Sequence, residues 1–193
     1  MDYSVFAIEL ALQYDGQSQT RNELRRLLTE HSSLTSYAQK AWFYGVATDL
    51  LLREAPSFER GCWDYFDNEI ALDKYNEWCN GLLREEGVRT TPSLPGGRGP
   101  YRASGESRYM TFTMAFLLVR GSDCDRTLAT RCQIPESNLW RRDVFTYLLH
   151  GIRLFNFASI RSDVVYMIPN QDDYGLTPEE IASERFKYLR PVV

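Results

Sequence analysis

Three residues in the second half of the chain carry side chains that could bind or act on a ligand: Arg141, His150 and Tyr166. His150 stands just before Gly151, near the end of a predicted helix, where the helix dipole favours a protonated imidazole. Such a histidine could act as a general base or a metal ligand, or it could be a half-buried or capping structural residue. An enzyme that binds a small molecule or a nucleotide could assemble a dispersed site from these three residues.

The chain has four cysteines and only two histidines, which limits metal and redox chemistry. No two cysteines form a C-x-x-C pair, so a zinc site would need scattered ligands. Cys124 stands between Asp123 and Asp125, and neighbouring carboxylates raise the pKa of a thiol and weaken it as a nucleophile. We therefore predict reduced thiols, no metal, no cofactor and no catalytic cysteine. The four cysteines are Cys62, Cys79, Cys124 and Cys132.

Neither the glycine-rich nor the arginine-rich segments predict a phosphate or nucleic-acid site. The run Gly96-Gly97-Arg98-Gly99 lacks the spacing G-x-x-x-x-G-K-[ST] and does not open a helix. Arginines in the second half, interleaved with Tyr101, Tyr109 and Trp140, could form an anion or RNA surface. The net charge of −4 and the pI near 5.3 argue against this, and nearby acids can pair with the arginines. We predict no nucleic-acid partner. The arginines are Arg98, Arg102, Arg108, Arg120, Arg126, Arg131, Arg141 and Arg142, and the acids are Glu106, Asp123, Asp125 and Asp143.

Length and composition predict a soluble, cytoplasmic protein. A chain of 193 residues with 44% hydrophobic and 25% charged residues can form an ordinary core without disulfides or metal. No basic region precedes the apolar residues of the N-terminus, so we expect no secretion signal. The longest apolar run, Met110 to Val119, is far shorter than the ~20 residues that span a bilayer. We therefore expect no integral membrane segment.

Hydrophobic periodicity predicts the elements of the first half. Alternating apolar residues predict a strand over residues 3–14. Thr20 and Glu23 have the spacing of a capping box at the start of the first helix. The predicted helices cover about 20–30, 36–53 and 71–86, and residues 58–66 form a short strand or an ordered loop.

The second half repeats this order, beginning with a strand over residues 108–119. Neither face of that strand carries a charge between residues 110 and 119, which is typical of a strand inside a sheet. We expect helices to cover its bulky face and either the rest of the protein or a second copy of the chain to cover the other, so a homodimer is possible. The remaining predicted elements are a turn at Gly121-Ser122-Asp123, a short strand at 127–132, a helix at 137–149 capped by Ser137, a strand at 161–168, and a helix at Pro178 with a Thr177–Glu180 capping box.

These elements predict an α+β fold, with a mostly antiparallel sheet and helices packed on one face. Each half begins with a long strand, passes through helix and returns through a β segment, so the chain could contain two related β-α-β halves. We predict a single domain over residues 1–193. Its halves, 1–87 and 107–193, would be joined by a loop rich in proline and glycine at 88–106.

Several sequence blocks resemble those of a known family. They are YMTFTMAFLLVRG, LWRRDVFTYLLHGI and VVYMIPNQDDYGLTPEEIASERFKYLRPV in the second half, and IELALQYDGQSQTRNELRRLL and TDLLLRE in the first. In these blocks the chain resembles an uncharacterised domain-of-unknown-function family of cyanobacteria and chloroplasts that includes the fluctuating-light acclimation protein of thylakoids. The resemblance covers most of residues 3–53 and 107–193 and implies no catalytic residues. The targeting region and transmembrane segments of typical family members have no counterpart in this sequence.

The missing catalytic motifs, the aromatic content of 13% and the resemblance favour a non-enzymatic protein-interaction or regulatory module with a protein partner. The alternative is an enzyme for a small molecule or nucleotide with the dispersed site described above. A deep cavity lined by titratable groups with shifted pKa values would favour the enzyme. A flat apolar patch or a symmetric dimer contact would favour the module.

Overall fold

The computed structural model describes residues 2–14, 18–80, 108–169 and 175–193, which contain five strands and six helices. The strands are β1 (Tyr3–Tyr14), β2 (Phe58–Phe66), β3 (Arg108–Val119), β4 (Ile160–Ile168) and β5 (Arg190–Pro191). The helices are α1 (Gln19–His31), α2 (Tyr37–Arg53), α3 (Ala71–Cys79), α4 (Asp123–Arg131), α5 (Arg142–Ile152) and α6 (Pro178–Ile181). Short 3-10 turns cover Ala55–Ser57, Glu136–Asn138, Phe157–Ser159 and Glu184–Phe186.

The five strands form one antiparallel sheet in the order β4-β3-β1-β2-β5. The central strands β1 and β3 pair over all 12 of their residues, with Ile8 opposite Met114. β3 is flanked on both sides, which confirms the prediction that this uncharged segment is an internal strand. The α+β class and the antiparallel sheet are also as predicted.

Both faces of the sheet are covered. On one, which we call the helical face, α1, α2, α4 and α5 cover bulky side chains such as Phe112 and Phe116, which are at most 1% exposed. The opposite face, which we call the second face, carries smaller side chains such as Ala7 and Ala115. It is covered by α3 and by residues 176–189. Helices were predicted on one face of the sheet, and the structure has a second, thinner layer on the other. The second face is also apolar, and covering it removes its side chains from water.

The two halves have the same order of strands and α-helices, in line with the predicted related β-α-β halves. In each half a 12-residue strand is followed by two helices, a three-residue 3-10 turn and a nine-residue strand, and the second half has an additional 3-10 turn between its helices. Each strand pair also has one register shift, between Ala11 and Leu12 in the first half and between Leu117 and Leu118 in the second. Because β1 and β3 pair antiparallel along their whole length, a pseudo-two-fold axis passes between them.

The start of α6 follows the predicted capping box. The Thr177 hydroxyl accepts a hydrogen bond from the backbone N–H of Glu180, and the Glu180 carboxylate accepts one from the N–H of Thr177. Pro178 occupies the first turn, where its missing N–H has no consequence. These three residues therefore place the helix start directly from the sequence.

The start of α1 corrects one prediction. The cap is Ser18, whose hydroxyl accepts from the N–H of Arg21 at 3.3 Å, and not Thr20. Thr20 lies within the first turn, and its hydroxyl donates to the Glu54 carboxylate at 2.6 Å. Because Ser18 already satisfies the helix end, the Thr20 hydroxyl links α1 to the end of α2 instead.

The segment predicted as a short strand at 127–132 is helical and belongs to α4. Ser122 caps this helix by accepting from the N–H of Asp125, and Asp123 adds a second acid to the first turn. Both features favour a helix N-terminus, through the cap and the macrodipole. Leu128 is fully buried against the helical face, and this packing outweighs the β-propensity of the threonines.

The next helix also begins later than predicted. α5 starts at Arg142 and not at Ser137, because a 3-10 turn over Glu136–Asn138 precedes it and Arg141 has extended backbone angles. No side chain caps this helix start.

Two predictions lie outside the described residues: the continuation of the third helix to residue 86 and the loop at 88–106. Within the described ranges, none of the helices combines the length and apolar character needed to cross a bilayer.

Candidate functional site

The structure does not bring the three sequence-predicted candidates together. Arg141 precedes α5 and pairs with exposed Asp143 at 2.9 Å. His150 is exposed in the last turn of α5, about 13 Å further along the axis at a rise of 1.5 Å per residue. Tyr166 points to the second face, is 4% exposed, and donates to the carbonyl of Trp78 at 3.2 Å. The sheet therefore separates Tyr166 from the other two residues.

A different set of titratable side chains meets on the helical face of β4. The Asp163 carboxylate accepts hydrogen bonds from His31 Nε2 at 2.8 Å, from the Tyr44 hydroxyl at 2.9 Å and from Lys40 Nζ. The Asp163 side chain is 2% exposed, whereas His31 and Lys40 keep 21% and 30% of their side chains exposed. This set, which we call the Asp163 cluster, joins the end of α1 and the first half of α2 to an edge strand.

The electrostatics of the Asp163 cluster fit a structural role. Burial alone would raise the pKa of Asp163, but the hydrogen bonds from His31, Lys40 and Tyr44 lower it below its usual range. Burial and the neighbouring carboxylate together raise the pKa of Tyr44 well above its usual value. The carboxylate is thus held ionised and is covered by its own donors. Such a group stabilises the contact between elements, because removing any partner would leave a buried charge.

Two of the arginines pair with predicted acids, whereas Arg131 and Arg142 donate to the backbone carbonyls of Tyr147 and Phe58. Arg126 pairs with Asp123, and Arg141 pairs with Asp143. Asp125, predicted as an arginine partner, is instead 6% exposed. Its carboxylate accepts hydrogen bonds from the hydroxyl groups of Ser4 in β1 and Tyr65 in β2. The predicted members at positions 98, 102 and 106 lie outside the described residues.

All four cysteines are free thiols in the structure, as predicted. Burial is the main cause that raises the pKa of Cys62 and of Cys132 to about 12, and it also raises the pKa of Cys79 and Cys124. Thiolates are therefore scarce at neutral pH. In the part of the chain that the structure describes, no group of three or more His, Cys, Asp or Glu side chains is arranged to hold a metal ion.

A cleft of about 330 Å³ runs beside β2, and we call it the edge groove. One wall consists of the consecutive residues Trp63–Phe66, and the other consists of Cys132, Leu139 and Trp140. Side chains alternate between the two faces of a strand, so a cleft on one face would contact only every second residue. Because the edge groove contacts four consecutive residues, it lies along the outer edge of the strand.

The β2 edge that borders this groove has no partner strand among the described residues. β5 pairs only with Arg60 and Gly61, so the stretch Cys62–Phe66 lacks a neighbour on that side. The side chains of that stretch are all partly exposed. An open strand edge next to an aromatic cleft is a common place for another chain to bind.

The C-terminal tail already occupies the first part of the same edge. The Val192 N–H donates to the carbonyl of Glu59 at 2.9 Å. The Val193 N–H donates to the carbonyl of Trp140 at 3.0 Å, and the Val193 carbonyl accepts from the Arg142 N–H at 2.8 Å. The tail is thus hydrogen-bonded to β2 on one side and to the residues at the start of α5 on the other. The edge groove lies at the opposite end, beyond the point where β5 joins β2 at Gly61.

Hydrogen bonds hold the two walls of the edge groove in place. Trp63 Nε1 donates to the carbonyl of Leu139 at 3.0 Å, which connects one wall to the other. The Tyr65 hydroxyl donates to Asp125 at 2.7 Å, and Asp125 also accepts from the Gly121 N–H at 2.7 Å. The groove is therefore preformed, which reduces the entropy lost when a partner binds.

The edge groove carries one carboxylate, that of Asp64. Trp78, in the helix α3 that covers the second face, donates a hydrogen bond from Nε1 to the Asp64 carboxylate at 3.1 Å. Burial raises the pKa of Asp64, partly offset by this hydrogen bond and by the charge of Lys74. Among the described residues, the lining contains no histidine and no second acid, so it lacks a pair of groups suited to acid–base catalysis.

The two halves differ next to the edge groove. α1 has 13 residues, whereas α4, its counterpart, has 9. Four residues make about one helical turn, or ~6 Å. The last turn of α1 carries His31 to Asp163 on β4, but α4 ends at Arg131, and the next residue, Cys132, lines the groove.

Sequence reasoning missed both the Asp163 cluster and the edge groove. The cluster joins residues from three elements that are far apart in the sequence. For the groove, the available signal was the aromatic segment Phe58–Phe66, which could be predicted only as a strand or an ordered loop. Its position beside an open edge depends on the strand order, which the sequence does not reveal.

Comparison with known proteins adds no identification, because no family model, curated protein or solved structure matches the chain. The resemblance to the uncharacterised photosynthetic family therefore stays a prediction. The function has to be argued from the geometry of the site.

Proposed function

We propose that the protein is a non-enzymatic interaction or regulatory module and that the edge groove is its partner-binding surface. The observation that carries the proposal is a preformed groove lined by four partly exposed aromatic side chains, Trp63, Tyr65, Phe66 and Trp140. Aromatic side chains combine a large apolar area with few rotatable bonds, and they dominate the energetics of protein interfaces. A partner that covers these rings would remove them from water.

Two further properties favour a macromolecular partner over a small-molecule substrate. The volume of about 330 Å³ is near the lower end for small-molecule pockets. The buried charges of the Asp163 cluster belong to a different part of the sheet and do not line the groove. The titratable groups that an enzyme would need are thus separate from the cleft.

Site-specific photo-crosslinking tests this proposal. Replacement of Trp140 by a benzophenone amino acid should yield a discrete crosslinked partner when cells that contain the protein are illuminated. The matched control is Trp42, a tryptophan in α2 that is 55% exposed and far from the groove in sequence. We expect no discrete adduct from position 42. Equal adducts from both positions, or none from position 140 in a folded variant, would contradict the proposal.

A further inference from the structure

We propose that the partner binds by strand addition: an extended peptide segment pairs with the open edge of β2 and continues the line begun by β5. This inference rests on the proposed function, because it specifies how the edge groove is occupied. The occupant is a segment of another protein with apolar side chains at alternate positions and a basic side chain between them.

The pairing with β1 fixes which backbone groups of β2 point outward. A Cβ added at Gly61 would lie 3.3 Å from the Glu9 carbonyl oxygen, so this carbonyl points toward β2, where Cys62 is opposite Glu9. The backbone groups of Cys62 therefore point toward β1, and because backbone direction alternates along a strand, those of Gly61, Trp63 and Tyr65 point outward. β5 lies opposite Gly61, whereas Trp63 and Tyr65 lie beyond it.

The outward groups of Trp63 and Tyr65 are available for pairing. Within the described ranges, no strand pairs with this side of β2, and the Trp63 N–H faces the Cys62 sulfur, a weak acceptor. The two residues offer two N–H donors and two carbonyl acceptors, spaced about 7 Å apart at ~3.4 Å per residue. An extended segment can satisfy all four groups with its own backbone.

The chain itself shows that this edge accepts an extended segment. β5 pairs antiparallel with Arg60 and Gly61, and its tail is held from both sides. Leu189, just before β5, is 1% exposed within the second-face core, so the chain leaves the edge at that point. The path of a strand along Cys62–Phe66 is therefore open where β5 begins.

The side chains that flank the edge define the chemistry of the segment. Residues that point to the helical face would contact Trp63, Leu139 and Trp140, which favour apolar side chains. Residues that point to the second face would lie near the Asp64 carboxylate, which favours lysine or arginine. The result is an alternation of apolar and basic residues over about five positions.

A second copy of the chain fits this edge less well. In an antiparallel self-pairing, Asp64 and Asp67 of both chains would lie within one short junction, and like charges at such positions destabilise a strand pair. The tails on Arg60 and Gly61 also limit the length that two copies can pair. We therefore assign the edge to a peptide segment of a different protein.

The test uses linear octapeptides selected from a random phage-displayed library against the full chain. A selected peptide is synthesised with N-methylation at one backbone position at a time. We expect a loss of affinity of at least tenfold at every second position and less than about threefold at the positions between. Hydrogen exchange should show that the peptide protects the amides of Trp63 and Tyr65, while Asp64, paired with β1, is protected with or without it.

Two variants separate the two proposals. Trp140→Ala and Leu139→Glu should each weaken peptide binding at least tenfold, while Trp42→Ala should leave it unchanged. Groove-dependent binding without alternation in the N-methyl scan would overturn strand addition and leave the proposed function standing. Binding that neither groove variant weakens would count against both. Concentration-dependent dimerisation that protects Trp63 and Tyr65 without peptide would identify a second copy as the occupant and overturn the peptide assignment.

Discussion

His31 and Asp163 lie 132 positions apart in the sequence, yet Nε2 of the imidazole is 2.8 Å from the Asp163 carboxylate. Their contact, together with Lys40 and Tyr44, fastens the helical layer of the first half to the edge strand of the second. Counted from the register shift in each strand pair, the corresponding position on β2 is Gly61, on which the Phe145 ring packs instead. β4 is thus tied to the helical layer by charge, whereas β2 meets an apolar ring at the same level and is bordered further along by the edge groove.

Asp163→Asn should destabilise the protein by about 2–3 kcal/mol at pH 7. The expected loss of stability is smaller than the ~3–5 kcal/mol typical of breaking a fully buried ion pair, because the side chains of His31 and Lys40 are still partly exposed to water. Urea denaturation of both proteins measures the difference. Asp143→Asn is the control, because its exposed pair with Arg141 should contribute nothing measurable.

The same substitution should remove part of the pH dependence of folding. The pKa of Asp163 is lowered in the folded state, so its contribution to stability is complete above the unfolded pKa near ~3.9 and is lost as the pH falls through the folded pKa. Between about pH 5 and pH 2, wild type should lose stability more steeply than Asp163→Asn. Parallel curves for the two proteins would show that the cluster does not hold the carboxylate ionised.

Gly61→Ala should destabilise the protein by about 1–3 kcal/mol, the usual range for overpacking. A methyl group at position 61 would lie 2.6 Å from two ring carbons of Phe145, and this ring is fully buried. The ring from α5 can therefore pack on β2 only because residue 61 has no side chain. Thermal and urea unfolding measure the effect.

Two further variants make the Gly61 prediction specific. Gly45→Ala, in α2, meets no atom within 4 Å and should stabilise the protein by about 0.5–1 kcal/mol through helix propensity. Phe145→Leu should recover part of the Gly61→Ala loss in a double-mutant cycle, because the smaller side chain leaves room for the methyl group. Additive effects of the two substitutions would rule out the clash.

Thr113→Val should leave the protein equally stable or stabilise it by up to about 1 kcal/mol. The Thr113 hydroxyl is fully buried and has no hydrogen-bond partner in the described part of the chain, so an isosteric methyl group removes an unsatisfied polar group. Thr48→Val is the contrasting variant, because its hydroxyl donates to the Tyr44 carbonyl at 2.8 Å. That change should destabilise, and the opposite order of the two would contradict the prediction.

Thiol titration should separate the folded from the unfolded state. At pH 8 we expect the native protein to react slowly with a disulfide reagent, because burial raises the pKa of Cys62 and Cys132 to about 12 and leaves roughly one thiolate in 10⁴. After denaturation, all four thiols should react at the rate of free cysteine. Fewer than four in the unreduced, denatured protein would reveal a disulfide.

Local signals in the sequence predict several elements well. The uncharged faces of residues 110–119 indicate an internal strand, and Thr177-Pro178 with Glu180 places a helix start, because both depend on neighbouring residues alone. The segment 127–132 was predicted wrongly because its threonines favour a strand, whereas the Ser122 cap and the burial of Leu128 decide for a helix.

The functional surfaces depend on relationships that no local pattern contains. The Asp163 cluster needs the last turn of α1 to reach β4, and the edge groove brings residues 63–66 of β2 together with residues 132, 139 and 140. Arg141, His150 and Tyr166 have suitable chemistry, but α5 holds the first two at opposite ends and the sheet separates Tyr166 from both.

The pairing of β1 with β3 has a consequence for biosynthesis. These strands are the first of each half, and Ile8 lies opposite Met114, more than 100 positions later. At a synthesis rate of ~5–20 residues per second, roughly 5–20 s pass between the synthesis of β1 and the synthesis of its partner β3. During that time the strand can pair with β2 on one side, while its other edge stays exposed. The nascent first half therefore keeps an apolar strand edge exposed until β3 emerges, and such edges are prone to pair with other chains.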